Sequence, residues 1–141
     1  MRVLAATPTG VRTVICYLRT ANPGTVGQRH LHRQRAKLQA EITAQDWTVY
    51  EWVEDLHQFD TTLHRPGLQH ALALLADRQA DALLAADLMH LAVDTALLEQ
   101  LVDLAAEQGW QLLTLSPTAQ AGWTATMADP GSVRGRGGAR R

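Results

Sequence analysis

The chain is short of several things that would announce a function. Its 141 residues include one cysteine, one phenylalanine and a single lysine, Lys37. With Cys16 alone, an intramolecular disulfide is impossible and no cysteine cluster can hold zinc. No apolar run approaches the roughly 18 residues that a membrane-spanning helix needs. The opening "MRVLAATPTGVR" has too brief an apolar stretch for a signal peptide, so a cytoplasmic location is expected. Acidic residues are missing altogether before Glu41. A single α/β domain with a sizeable core fits this length.

That missing acid exposes a segregation hidden by the net charge of −1. The first 40 residues carry Arg2, Arg12, Arg19, Arg29, Arg33, Arg35 and Lys37 and no carboxylate. Between residues 41 and 107 lie nearly all the acids, opposed only by Arg65 and Arg78. Arg134, Arg136, Arg140 and Arg141 then close the chain in "RGRGGARR", an Arg/Gly pattern too short to be specific. Basic segments of this kind track nucleic-acid phosphates or simply remain solvated. Composition favours the solvated reading, with the four tail arginines as weak DNA-binding candidates.

Strand-like and helix-like periods alternate along the chain. "TVICYL" (13–18) is β-branched and apolar, suited to a buried strand. From about residue 25 to 45 the period is helical, with Leu31, Leu38 and Ile42 on one face and Arg29, Arg33 and Lys37 on another. "WTVYEWVE" (47–54) alternates with period two. After the polar loop "DLHQFDTTLH", Pro66 opens a helix whose buried side carries Leu68, Leu72 and Leu75. "DALLAA" (81–86) reads as a central strand. Leu97, Leu98, Leu101, Leu104 and Ala105 make an amphipathic stripe that ends at Gly109, and "WQLLTL" (110–115) is a fourth strand. This order predicts one doubly wound domain, with a mostly parallel four- to five-stranded sheet flanked by helices. The expected boundaries are an N-terminal extension over 1–11, the domain over 12–122 and a disordered tail over 123–141.

Several separated stretches then resemble, in order, the catalytic domain of the serine site-specific recombinases, the resolvase/invertase family. Tyr17-Leu18-Arg19-Thr20-Ala21 is similar to that family's Tyr-x-Arg-x-Ser strand. Leu31-His32-Arg33-Gln34-Arg35 matches its Leu-x-x-Gln-Arg helix. Glu54-Asp55 and Arg65-Pro66-Gly67-Leu68 match the end of its second strand and the start of its next helix. Asp87-Leu88-Met89-His90-Leu91-Ala92-Val93 stands where the family has Lys-Leu-Asp-Arg-Leu-x-Arg. Gly109-Trp110 and Gly122 also fit. The resemblance implies a resolvase-like fold and descent from DNA strand exchange. In the family a serine attacks a DNA phosphate, forming a phosphoserine link, while arginines neutralise the phosphoryl oxygens.

The nucleophile's place is taken here by Ala21, and a methyl group cannot attack phosphorus. Loss of a catalytic serine costs on the order of 10⁶ in turnover, roughly 8 kcal/mol. Of the family's catalytic positions, Arg19 and Arg65 are retained, while Ala21, Met89, His90 and Val93 are substitutions. Thr20 is the nearest substitute hydroxyl, but neighbours on a strand point to opposite faces. Thr25 lies beyond Pro23-Gly24. No helical period follows Gly122, so the family's dimerisation helix and DNA-recognition module are not expected.

Other constellations read as structural. His30 and His32 fall about 200° apart on a helix, and His57, Asp60 and His64 lack zinc-type spacing, so no metal or cofactor is expected. His90 is a candidate cation near phosphate because its ordinary pKa lies close to neutrality, although a position without a role is the simpler reading. Trp47, Trp52 and Trp110 suit core or sheet-edge packing, leaving Trp123 as the tryptophan to consider for nucleic acid. The expectation is therefore a catalytically inactive resolvase-type domain acting as an interaction module for a recombinase-like or regulatory protein. Residual non-specific DNA binding and recombination through a substitute nucleophile are the alternatives.

Overall fold

Strand β1 (Thr13–Thr20) runs through the middle of the molecule, and both of its faces are covered. In the computed structural model, residues 10–56, 62–92 and 94–115 are described. After β1 come α1 (Gly24–Gln45), β2 (Thr48–Leu56), α2 (Pro66–Ala76), β3 (Ala82–Ala85), a single 3₁₀ turn at Leu88–His90, α3 (Thr95–Gln108) and β4 (Gln111–Thr114). Among the described residues the sheet has four strands in the order β2-β1-β3-β4, and every pairing is parallel. The expected α/β architecture is the one found.

The strand order explains the two layers. The step from β1 to β2 goes one way along the sheet, whereas the steps from β2 to β3 and from β3 to β4 go the other way. Crossovers of one hand must then put α1 on one face and α2 and α3 on the other. The core divides accordingly. Val14, Cys16 and Leu18 of β1 meet Leu31, Leu38 and Ile42 of α1. Ile15 and Tyr17 face Leu68, Ala71, Leu72 and Leu75 of α2 with Leu98, Leu101 and Ala105 of α3. The leucine stripe of α3 is thus core packing, as its period implied. Val11, which sequence alone places in an extension, packs in the α1 layer, and the amides of Arg12 and Thr13 both donate to Asp81.

Ends of elements follow local chemistry. Asp94 caps α3 by accepting from the Leu97 amide at 2.9 Å. Gly109 ends that helix with φ +81°, a left-handed conformation that costs glycine little. The start of α2 is capped from outside its own sequence. Pro66 occupies the first turn, and the Asp55 carboxylate at the end of β2 accepts from the amides of Gly67 at 2.7 Å and Leu68 at 2.9 Å. The Tyr17 hydroxyl donates to the same carboxylate at 2.6 Å. A Cβ on Gly67 would lie 2.8 Å from the Asp55 carboxylate, so only glycine fits there. Trp110 is buried against α3, Trp47 and Trp52 lie at the edge of the α1 layer, and the Arg35 guanidinium stacks 4.4 Å from the Trp52 ring.

Among the described residues no helix is long and apolar enough to cross a membrane. Gly122, Trp123, Val93, His57, Asp60 and the tail arginines lie outside the described residues.

Asp55 therefore joins three elements, and its removal strands three buried donors at about 1–3 kcal/mol each. Asp55→Ala is expected to lower unfolding free energy by about 3 kcal/mol or more, against about 1 kcal/mol for Tyr17→Phe, in urea titrations followed by circular dichroism.

Candidate anion-binding cleft

In a doubly wound sheet, ligands lodge beyond the carboxyl ends of the strands where the connections change direction. Here that point lies between β1 and β3, and a cleft of about 370 Å³ opens there. Its floor is the end of β1 and the following loop: Arg19, Thr20, Ala21 and Asn22. One wall is the face of α1 that bears His30, Arg33, Gln34 and Lys37. The other is Ala86, Asp87 and His90, from the end of β3 and the 3₁₀ turn.

The cleft exists because β3 is shorter than β1. The last β3 pair is Tyr17 with Ala85, so Arg19 has no β3 residue opposite it. The Gln34 side chain takes over: its amide nitrogen donates to the Arg19 carbonyl at 2.8 Å and its oxygen accepts from the Arg19 amide at 3.1 Å. A buried backbone pair that would otherwise lack partners is thereby satisfied. Residues 30, 33, 34 and 37 share one side of α1, so seating Gln34 brings Arg33, Lys37 and His30 to the same rim.

Alternation along β1 holds to its end. Thr20 belongs to the α1 side, where its methyl is the side chain nearest a Cβ placed at Gly27. Its hydroxyl accepts from the Asn22 amide at 3.2 Å and lies 3.3 Å from His30 Nδ1, which is also 3.1 Å from Asn22 Nδ2. Thr20 is the one hydroxyl-bearing residue lining the cleft among the described residues, and it is buried. Ala21, also in the lining, presents a methyl group.

The other sequence candidates separate. Arg19, Ala21 and His90 come together in the cleft, whereas Arg65 and Met89 are not among the residues that line it. Arg65 is only 1% exposed. Its guanidinium donates to the carbonyls of Thr62 at 3.1 Å, His90 at 2.8 Å and Leu91, and lies 5.6 Å from the Tyr17 ring. Arg65 thus clamps the 3₁₀ turn from inside. Met89 is 54% exposed on that turn, whose start is capped by Asp87 accepting from the Met89 amide.

Cationic His90 does not survive inspection of its surroundings. Burial pushes its pKa below the ordinary value; Asp87 opposes this, while Arg19, Lys37 and Arg65 add to it. The imidazole is therefore neutral at pH 7, and its buried Nδ1 has no hydrogen-bond partner among the described residues. Burial also pushes the Cys16 thiol up to about 12 despite Arg35, leaving it an inert core group. Tyr17 is likewise raised, first by burial and then by its bond to Asp55, so it remains a donor.

Sequence reasoning assigned Arg33 and Lys37 to a basic helix face without connecting them to the strand end. The usable signal was their placement around Gln34 on a helix that directly follows Arg19. His32 is exposed, away from the cleft that His30 lines. Among the described residues no group of three or more His, Cys, Asp or Glu side chains is arranged to hold a metal ion.

Comparison with known proteins agrees with this fold. A family model described as "Resolvase, N terminal domain" matches residues 14–129. The fold is similar to the N-terminal catalytic domain of TP901-1 integrase, with a TM-score of 0.66 and 17% identity over 84% of this chain and 93% of that one. It is also similar to a resolvase family site-specific recombinase from Streptococcus pneumoniae, with a TM-score of 0.66 and 13% identity over 84% and 87% of the two chains. A third likeness is to the C-terminal catalytic domain of ISC1926 TnpA, an IS607-like serine recombinase, at a TM-score of 0.63 and 20% identity over 77% and 75%. None of the curated proteins compared is similar in sequence.

Because the folded state holds His90 neutral, its linkage to pH has a defined sign. Above the ordinary value of 6.5 the imidazole is uncharged in both states and contributes no pH dependence. As pH falls below that value, the unfolded chain takes the proton first, and stability is lost until the lower folded pKa is reached. His90→Gln is expected to flatten the decline of the urea midpoint on acidification relative to the unaltered chain.

Proposed function

Since the chain belongs to the resolvase N-terminal domain family, we propose that it is a resolvase-type domain that holds DNA phosphates without cutting the strand. The observation that carries this reading is the joining of Arg19, Arg33 and Lys37 around a floor that includes Ala21, which the resemblance matches to the nucleophile's place. Arginine forks pair with two phosphate oxygens at once, and the lysine adds a mobile charge. Cleavage needs, in addition, an oxygen able to attack phosphorus. Thr20 supplies the only hydroxyl among the described cleft residues, and it is buried and accepts from the Asn22 amide.

The best-kept family motifs support the same division. Tyr17, Asp55, Arg65 and Gly67 maintain the framework through the Asp55 cap and the Arg65 clamp. Selection for a folded, phosphate-binding domain preserves that framework without requiring a nucleophile. The four tail arginines add a second, weaker contribution to DNA affinity in this reading.

DNA binding of this kind releases counterions, so the logarithm of affinity falls linearly with that of salt, by about 0.9 per phosphate neutralised on duplex DNA. Arg33→Gln with Lys37→Gln is expected to reduce that slope by roughly one to two, measured by fluorescence anisotropy across a salt series. No SDS-stable protein–DNA adduct should form with supercoiled DNA. An adduct abolished by Thr20→Val would establish the substitute nucleophile instead. A salt-insensitive complex with a recombinase-like protein, without DNA affinity, would replace this reading by that of a protein-interaction module.

A further inference from the structure

The charges and donors gathered in the cleft exceed what an internal DNA phosphate offers. Arg19, Arg33 and Lys37 are opposed by one carboxylate among the lining residues, Asp87, which also caps the Met89 amide. A backbone phosphodiester brings one negative charge and two non-bridging oxygens. A phosphomonoester brings close to two charges at neutral pH and three strong acceptor oxygens. One histidine extends the donor set. His30 Nδ1 faces Asn22 Nδ2 and the Thr20 hydroxyl, and in the tautomer that accepts from them its proton sits on Nε2.

The lining also says what is not recognised. The rings among the described cleft residues are the imidazoles of His30 and His90, and two alanines are its only apolar residues, so there is no broad apolar platform for a base. Recognition is then of the phosphate group rather than of the base attached to it.

We propose that the cleft is a site for a phosphomonoester, such as the terminal phosphate of a DNA strand end, which it takes in preference to an internal phosphodiester. This rests on the DNA-binding reading above only for the source of the ligand. A free nucleotide carries the same group, and the test separates the two.

The experiment compares the full chain's affinity for one short blunt duplex bearing 5′-phosphates or 5′-hydroxyls, and for a nucleoside 5′-monophosphate, at fixed salt. The phosphorylated duplex is expected to bind about tenfold tighter, the factor given by one added charge-assisted contact. Arg33→Gln with Lys37→Gln, both exposed and outside the core, should remove most of that difference. Equal, salt-dependent affinity for both duplexes would overturn the phosphomonoester site and leave the DNA-binding reading standing. Binding of the monophosphate without either duplex would support the site, with a free nucleotide as its ligand, and would overturn the DNA reading. Absence of binding to all three would overturn both.

Discussion

The cleft and its charges depend on one mismatch: β1 outlasts β3. Pairing between them stops at Tyr17 and Ala85, yet β1 continues to Thr20 alongside β2. A main-chain amide and carbonyl left facing no strand in a buried position are costly. Gln34 resolves this by offering a side-chain amide that imitates the missing strand residue. Its seating sets the rotation of α1 over the sheet, and that rotation decides which polar side chains border the opening. Arg33 and Lys37 reach the cleft because Gln34 must reach Arg19.

A second junction holds the opposite wall. Asp55 ties β1, β2 and α2 together, while Arg65, just before α2, grips the carbonyls of His90 and Leu91. The turn carrying Asp87, Met89 and His90 is therefore fixed from beneath by a buried cation as well as by the Asp87 cap at its start. Its outward positions are released from structural duty, and Met89 stands exposed where the resemblance leads one to expect an aspartate. Removing a framework residue would leave buried groups unpaired, whereas an exposed or cleft-facing position accommodates a methyl group, a thioether or an imidazole.

These two junctions give different meanings to residues that look alike in a motif. Arg19 and Arg65 are both arginines that the resemblance matches to the family's cationic positions. One borders the cleft; the other spends its donors on backbone carbonyls within the core. His90 shows the same effect of context, since burial beside Arg19, Lys37 and Arg65 keeps it neutral where its ordinary pKa would have left the charge open.

Much of the fold was legible in the chain itself. Period two in "WTVYEWVE", the apolar runs "TVICYL" and "DALLAA", Pro66 as a helix start and Gly109 as a helix stop are local signals, and each element forms close to where they place it. The identity of Ala21 is likewise read directly from the chain, and the resemblance alone matches it to the nucleophile's place. Which cations meet at the cleft was decided by tertiary structure alone. Arg19 and Lys37 belong to different elements, and Asp55 reaches Gly67 across a chain reversal. Such meetings depend on relative strand lengths and helix rotation, which are set by the pairing of buried backbone groups over distances that no local pattern records.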